Sequence, residues 1–554
     1  MKVPALLSRL LPVLWIALLL LPSLVWIAVD RRPWAWDPAF YGYWTLKALN
    51  TLSTEGITGW LNANIHALGM MPPLLVWLAQ PFVALRHVVG ELDVAFLLLN
   101  FTAGAATLAV VYIVVRRLGG SMLDALAAVT VCGAANLFFG ITRHFLTEPL
   151  QGLAAAVSVL AALHAEGRSH VRNAGLILLM IAVSFLAKAT SFIFVLPALT
   201  YIAVVLVATR TAPHPPARRS DFVLLAGGVL AFALTAAWYA VNWAAMSEHF
   251  RQASTGPAAE NYRSGGAAYS GTTRYTEEVW FWRRALGEAL TVKPLLAVLL
   301  AAVIAAALMI AALRLRRAPD LAQACSAAIA DHALFGYYVA GMIVLTVLAY
   351  AFQINQDVRF MYSLLPLIGV LAGWACVTLR RAAVPAALLG LFFVSGAAAN
   401  ALTFGTNIGD SAAWLLPVDS TTTHRSELAQ AVAESCRGDA HANAIGVSYA
   451  NLNGNNANYY AERQRLETGV GCTYQVPPYA EVTSALEWLD AAAVGYVVTV
   501  APEHQDTTSA FANPIARPFA ERLVTDARFV LQGDSTARVR IYRRINDPGA
   551  SVAP

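Results

Sequence analysis

Apolar runs of about 20 residues, the length a bilayer core demands, recur along the first 402 positions with short polar loops between them. The first is Leu10 to Val29; others lie near 94–115, 122–141, 150–163, 173–187, 191–209, 221–241, 289–313, 333–352, 359–377 and 383–402. One more apolar stretch, residues 70–89, is long enough to cross. Its Pro72, Pro73 and Pro81, with Gln80, Arg86 and His87, suit a helix lying in the interface instead. Charge decides between these readings. If 70–89 does not cross, Arg116-Arg117, Arg168, Arg172, the basic loop 210–219, Arg314 to Arg317 and Arg380-Arg381 all fall on the cytoplasmic side. If it crosses, every later cluster is on the wrong side. The pattern therefore predicts a polytopic α-helical protein of the cell membrane with roughly eleven spans, a cytoplasmic N-terminus and an extracytoplasmic tail.

Lys2 and Arg9 give the first run the look of a signal peptide, but it ends in Trp26-Ile27-Ala28-Val29-Asp30 with no small-x-small cleavage site, so it reads as an uncleaved span. Tyr41 to Thr54 reads as an amphipathic helix closed at Glu55-Gly56, and Gly59 to Gly69 as a polar turn. After residue 402 no long apolar run returns. Ser426 to Glu434 and Val482 to Ala492 predict helices, Ala444 to Tyr449 and Gly495 to Val500 strands, and Phe529 to Gln532 with Val539 to Arg543 a hairpin. The expected organisation is a membrane domain, 1–402, and an extracytoplasmic α/β domain, 403–554. Within the first, 30–93 is an outer loop with juxtamembrane helices and 242–288 a second outer loop. Ser264-Gly265-Gly266 followed by Trp280 to Arg284 suits either a lid or a connector with an interfacial anchor. Asn451 to Asn458, beside Tyr459 and Tyr460, offers sugar-binding groups, though such Asn-Gly sequence also forms ordinary turns.

Composition agrees: 58% of the 554 residues are hydrophobic and 13% charged, against roughly a quarter charged in soluble domains. The net charge of +5 is carried by short loops and excludes a nucleic-acid partner. No Ser-His-Asp arrangement, metal-spaced His/Cys cluster or nucleotide-binding loop is present, so no nucleotide cofactor is expected. Of five cysteines, Cys132, Cys325 and Cys376 fall in or near spans; Cys436 and Cys472 lie in the tail, where a disulfide is expected.

The predicted topology puts Asp37, Glu148, Lys188 and the 353–359 loop on the outer face. Ionisable groups there cost free energy unless paired or working. Two carboxylates in one cavity would repel, and one would protonate unless a cation intervened; Arg143, Lys188 and Arg359 are the candidate cations. Carboxylates with separate cations, open to lipid, suit a lipid-phosphate substrate: a carboxylate takes a proton from the nucleophile and the cations hold the phosphate leaving group. The plainer alternative is an ion-pair cluster that ties helix ends together.

The order of motifs is more specific than any one of them. An apolar span is followed by Asp37-x-x-x-Tyr41, Pro72-Pro73 with an apolar helix, Arg143-x-x-x-x-Glu148-Pro149, Leu186-x-Lys188 and Arg359-Phe360 with Pro366. Across residues 1–402 this resembles the GT-C glycosyltransferases, and among them the protein O-mannosyltransferase and lipid A aminoarabinose transferase families. The resemblance implies an inverting transfer of a hexose or pentose from a polyprenyl-phosphate donor to a glycan, lipid or protein acceptor outside the membrane. It assigns Asp37 as general base and Glu148 as its supporting acid, with Arg359, Arg143 and Lys188 on the donor phosphate and Tyr41 and His144 as supporting groups. A divalent cation (magnesium, manganese or zinc) held by Asp37 and Glu148 is an optional cofactor in this reading. Two departures bear on it: Pro38 stands where such families often carry a second acid, and Met71 stands where aminoarabinose transferases carry lysine. The rival functions are a lipid or sugar transporter or flippase, and a membrane scaffold whose tail binds a ligand. No internal repeat supports the first, and the second leaves the acidic and basic outer loops unexplained.

Overall fold

The computed structural model describes residues 5–165, 169–208, 215–254, 290, 294–316, 332–351, 357–405, 418–437, 442–449, 451–478, 481–505, 515–534 and 536–545. The glycine-rich and aromatic-basic parts of the 242–288 loop, Gln353 to Gln356, Arg317 and Cys325 lie outside these. The chain divides into two compact units: 1–28, 69–75 and 85–418 form one; 29–68, 76–84 and 419–554 form the other.

The first unit is helical. Its elements are α1 (Ala5–Val29, through residue 28), α5 (Leu92–Arg117), α6 (Met122–Gly133), α7 (Asn136–Thr142), α8 (Glu148–His164), α9 (His170–Ala187), α10 (Phe192–Ala208), α11 (Arg219–Ser254), α12 (Pro294–Leu315), α13 (Ala333–Ala351), α14 (Leu364–Leu379) and α15 (Ala383–Gly405). Nine helices among the described residues are long and apolar enough to cross a membrane. The expected third span is instead two helices, α6 and α7, bent by 65°. The expected fourth, α8, has 17 residues, about 26 Å at ~1.5 Å per residue, short of a ~30 Å hydrocarbon core. The segment Val358–Leu379 is buried over 94% of its apolar window and is the centre of the bundle; Leu295–Leu315, at 17%, is peripheral. Small residues bring helices together where water is not the driving solvent. A Cβ on Gly175 of α9 would lie 2.8 Å from the Leu225 nitrogen of α11, so that contact needs glycine.

The stretch expected at the interface is broken: α3 (Leu74–Ala79) gives way to a 3-10 turn, Gln80–Leu85, and then to α4 (Arg86–Val89). Pro81 removes an N–H where the break occurs.

The second unit joins the segment after α1 to the tail. Its first helix, α2 (Trp36–Ile65), starts earlier and runs further than the expected Tyr41–Thr54. Pro38 sits in the first turn, where a missing N–H costs nothing, and Asp37 complements the helix dipole. Gly56 does break the pattern, at φ 73°, but as a kink inside the helix, and most of the expected polar turn from Gly59 is helical. In the tail, α16 (Thr423–Ser435), α17 (Gly454–Thr468), α18 (Val482–Ala491) and α19 (Ala516–Thr525) surround five strands: β1 (Asn443–Ile445), β2 (Tyr474–Gln475), β3 (Tyr496–Val500), β4 (Phe529–Gln532) and β5 (Val539–Arg544). The strand order is β2-β1-β3-β5-β4, parallel for β2-β1-β3 and antiparallel for the rest, with Val498 opposite Ile541. Val497, Phe519, Leu489 and Tyr542 form its core. Cys436 and Cys472 are bonded, with Cα atoms 5.3 Å apart.

The Asn-rich stretch is the start of a helix, not a turn. Asn453 caps α17 by accepting from the Asn455 and Asn456 nitrogens, and Asn456 returns a bond to the Asn453 nitrogen. Helix α2 lies along α17: Trp34 stacks on Tyr459 at 5.2 Å, and Asn50 donates to the buried Glu462 carboxylate at 2.6 Å. A Cβ on Gly42 would come within 2.8 Å of the Tyr459 ring.

Candidate functional site

In the first unit, three helix breaks bring three charged side chains to one point. The loop before α8 is held from α5, where Asn100 donates to the His144 and Leu146 carbonyls. Glu148 then opens α8 with Pro149 beside it, a carboxylate at a helix N-terminus. Lys188 ends α9 in an extended conformation, φ −163° and ψ 135°, before the short turn Ala189–Ser191 leads into α10. That break aims its ammonium across the bundle, and Lys188 Nζ donates to Glu148 Oε1 at 2.8 Å. Arg359 lies in the 3-10 turn Val358–Ser363 that leads into α14. Asp357 caps this turn, accepting from the Arg359 backbone nitrogen at 2.9 Å, and pairs with the Arg359 guanidinium, its Oδ2 3.0 Å from Nε. The same Nε is 3.6 Å from Glu148 Oε1.

Phe360 supplies a common floor: the Lys188 ammonium is 4.6 Å from its ring centre and the Arg359 guanidinium 5.7 Å. Tyr350 stacks against the same ring. Gln151, one turn after Glu148, donates to Thr190 and fixes α8 against the turn that follows Lys188. Glu148 is 3% exposed, whereas Lys188 and Arg359 keep 20% and 19%. The acid is thus inside and the cations are outermost. Glu148 Oε2 is buried with no hydrogen-bond partner among the described residues.

Arg143 and His144, though near in sequence, face another way. Arg143 is buried, bonded to Asn400 and, at 3.2 Å, to Ser23, with Trp26 and Phe139 over its guanidinium. His144 meets the edge of Trp26. These two join α1 and α15 to the loop before α8.

Asp37 and Tyr41 belong to the second unit. Asp37 is half-buried in the first turn of α2, and Tyr41 is buried one turn on. The segment before them is fastened to the tail: Arg31 and Asp419 bond through their backbones, Asp30 accepts from the Asp419 nitrogen, and Trp36 donates to Ser448. Burial raises the Asp30 carboxyl above its ordinary range, against the pull of Arg32.

A divalent cation does not fit at Glu148. Its one engaged oxygen already faces an ammonium and a guanidinium, which repel a metal, and no three His, Cys, Asp or Glu side chains gather among the described residues. The arrangement suits an anion. Two cations are held in place by buried Glu148 and partly buried Asp357 while their outer sides stay accessible, a geometry suited to gripping phosphate. Asp357 and Gln151 were not singled out from sequence, and Phe360 was named only as part of the Arg359-Phe360 motif. Asp357 alone carried a signal, an acid two residues before Arg359.

The fold is that of the GT-C membrane glycosyltransferases. Over 96% of its length the chain superposes on ArnT from Cupriavidus metallidurans in the apo state, covering 97% of that chain with a TM-score of 0.55 at 12% identity. The same protein bound to undecaprenyl phosphate gives 0.54 at 13% identity, over 96% of this chain and 98% of that one. The Archaeoglobus fulgidus oligosaccharyltransferase tethered to an acceptor peptide gives 0.48 at 13% identity, over 98% of this chain and 75% of that one. In sequence, residues 70–240 match the dolichyl-phosphate-mannose-protein mannosyltransferase family. No curated protein matches the sequence at a significant level.

Proposed function

We propose that the chain is an inverting membrane glycosyltransferase that moves a sugar from a polyprenyl-phosphate donor to a glycan, lipid or protein acceptor on the extracytoplasmic face. The convergence of Lys188 and Arg359 on buried Glu148 carries this reading. The match of residues 70–240 to a family that uses dolichyl-phosphate mannose supports the donor class, as does the capture of ArnT with undecaprenyl phosphate.

In this mechanism the acceptor's hydroxyl or amine attacks the anomeric carbon while the bond from that carbon to the phosphate oxygen breaks. The electron pair of that bond passes to the phosphate, and polyprenyl phosphate leaves. Lys188 and Arg359 stabilise the charge that develops there, and Glu148 with Asp357 keeps both cations aimed. The acceptor's proton goes to Asp37, the base named by its position in the motif order. The sequence runs without a metal at Glu148. The Cys436–Cys472 bond supports an extracytoplasmic tail, because disulfides persist where the surroundings are oxidising.

Binding of undecaprenyl phosphate to the purified full-length protein tests the reading. Arg359→Ala removes a charge-assisted contact and should weaken binding about 10- to 100-fold. Unchanged affinity in that variant would overturn the assignment of the site.

A further inference from the structure

We propose a second site at the far end of the helical unit, one that binds a phosphate-bearing anion. A cavity of about 570 Å³ opens there among the ends of α5, α6, α12, α14 and α15 and the residue before α13. Ligand pockets commonly span about 300–1,000 Å³. It is distinct from the Glu148 cluster: α14 begins beside the Arg359 turn and reaches the cavity at its other end, 16 residues on, or about 24 Å at ~1.5 Å per residue.

The lining is strongly basic. Among the described residues, Arg314, Arg380 and Arg381 line it together with His332 and one acid, Asp124. Asp124 is directed at its own helix start, accepting from the Ser121 nitrogen at 2.7 Å in a capping box. Arg314 is steadied by the Thr378 carbonyl at 3.3 Å. Topology alone would put arginines at this end of the bundle, but it does not require them to share one cavity.

The backbone gives a second observation. Among the described residues five that are not glycine have positive φ, and two of them, His332 at 54° and Arg380 at 53°, line this cavity. A left-handed conformation costs such residues free energy, and strain of this kind gathers where a site needs a particular geometry. At Arg380 it ends α14 and turns the chain so that Arg381 follows at the cavity. At His332 it presents the carbonyl that accepts from the Trp374 indole at 2.9 Å.

Planar guanidinium groups grip phosphate oxygens in pairs, and basic pockets between membrane helices hold anionic headgroups. Leu118, Leu123 and Pro385 give the same cavity an apolar side. The chemistry fits a phosphate ester from either of two sources, an acidic phospholipid or a soluble phosphate.

The test uses the full-length protein in detergent. Native mass spectrometry would count bound phosphatidylglycerol against phosphatidylcholine, and thermal unfolding would be followed with added inorganic phosphate. Preferential retention of phosphatidylglycerol identifies a lipid occupant; stabilisation by phosphate alone identifies a soluble one. In either case Arg314→Gln/Arg380→Gln/Arg381→Gln should weaken binding about fivefold per arginine, ~100-fold in all. Should that triple variant not fold, Ala382→Glu places a carboxylate at an exposed lining position and should weaken binding at least tenfold. Undecaprenyl phosphate binding governed by Arg359 should not respond to Ala382→Glu. Equal binding of both phospholipids with no response to phosphate, or wild-type affinity in the variants, would overturn the proposal.

Discussion

Replacing Glu148 by glutamine removes the charge that both cations share while keeping the side chain's size. The pair it forms with Lys188 is 2.8 Å long; its acid is 3% exposed and its base 20%. Breaking a buried pair from one side costs about 3–5 kcal/mol, mostly because the other charge is left uncompensated. Partial access of water to Lys188 puts the expectation at the low end, about 3 kcal/mol for Glu148→Gln. Lys188→Met should cost a similar amount, since Glu148 then keeps only Arg359, at 3.6 Å. The double variant has neither orphan. It should be about as stable as either single, an interaction energy of about 2–3 kcal/mol. Reversible unfolding of the full-length protein in mixed micelles measures all three. Undecaprenyl phosphate binding is read in parallel and should stay impaired in the double variant, because a methionine cannot bind phosphate. Losses that add within about 0.5 kcal/mol would refute the pairing. A double variant that binds donor like the wild type would refute its role.

Asp37→Asn keeps the shape of the side chain but not its basicity, and should lower turnover at least ~100-fold with donor affinity unchanged; wild-type turnover would remove Asp37 as the base. Cys436→Ser should destabilise the tail by roughly 3–4 kcal/mol in the chain-entropy account of a disulfide, visible as a lower unfolding midpoint. Single cysteines at Ser121 and Thr536, with Cys132, Cys325 and Cys376 replaced, should react oppositely with an impermeant reagent added outside cells, Thr536→Cys labelling and Ser121→Cys not. Equal labelling would place the 70–89 stretch across the membrane.

The spans were legible because a bilayer imposes length and apolarity together, and Leu92–Arg117 or Ala383–Gly405 satisfies both within a few residues. The bend between α6 and α7 was not: Gly133 stands at the break, but a lone glycine without proline does not by itself predict a 65° turn. Helix α17 was hidden by its asparagines, which serve as caps and as turn residues with equal ease; only contact with α2 settles which. At the site, Glu148, Lys188 and Arg359 were readable as ionisable groups at span ends. Their junction was not, since it depends on the extended backbone of Lys188 and on the Asp357 cap. Arg143 shows the limit of reading charge alone, because Ser23 and Asn400 absorb its guanidinium.

The embrace of α2 by α17 also sets an order of events in biosynthesis. Asn50 and Glu462 are 412 positions apart. At about 5–20 residues per second, a ribosome needs roughly 20–80 s to deliver the second after the first. For that interval the segment bearing Asp37 has left the ribosome without the helix it packs against. It must wait, half-finished, while the intervening spans are inserted one after another. A nascent chain stopped between residues 405 and 454 would hold α1 to α15 and still lack the surface on which α2 settles.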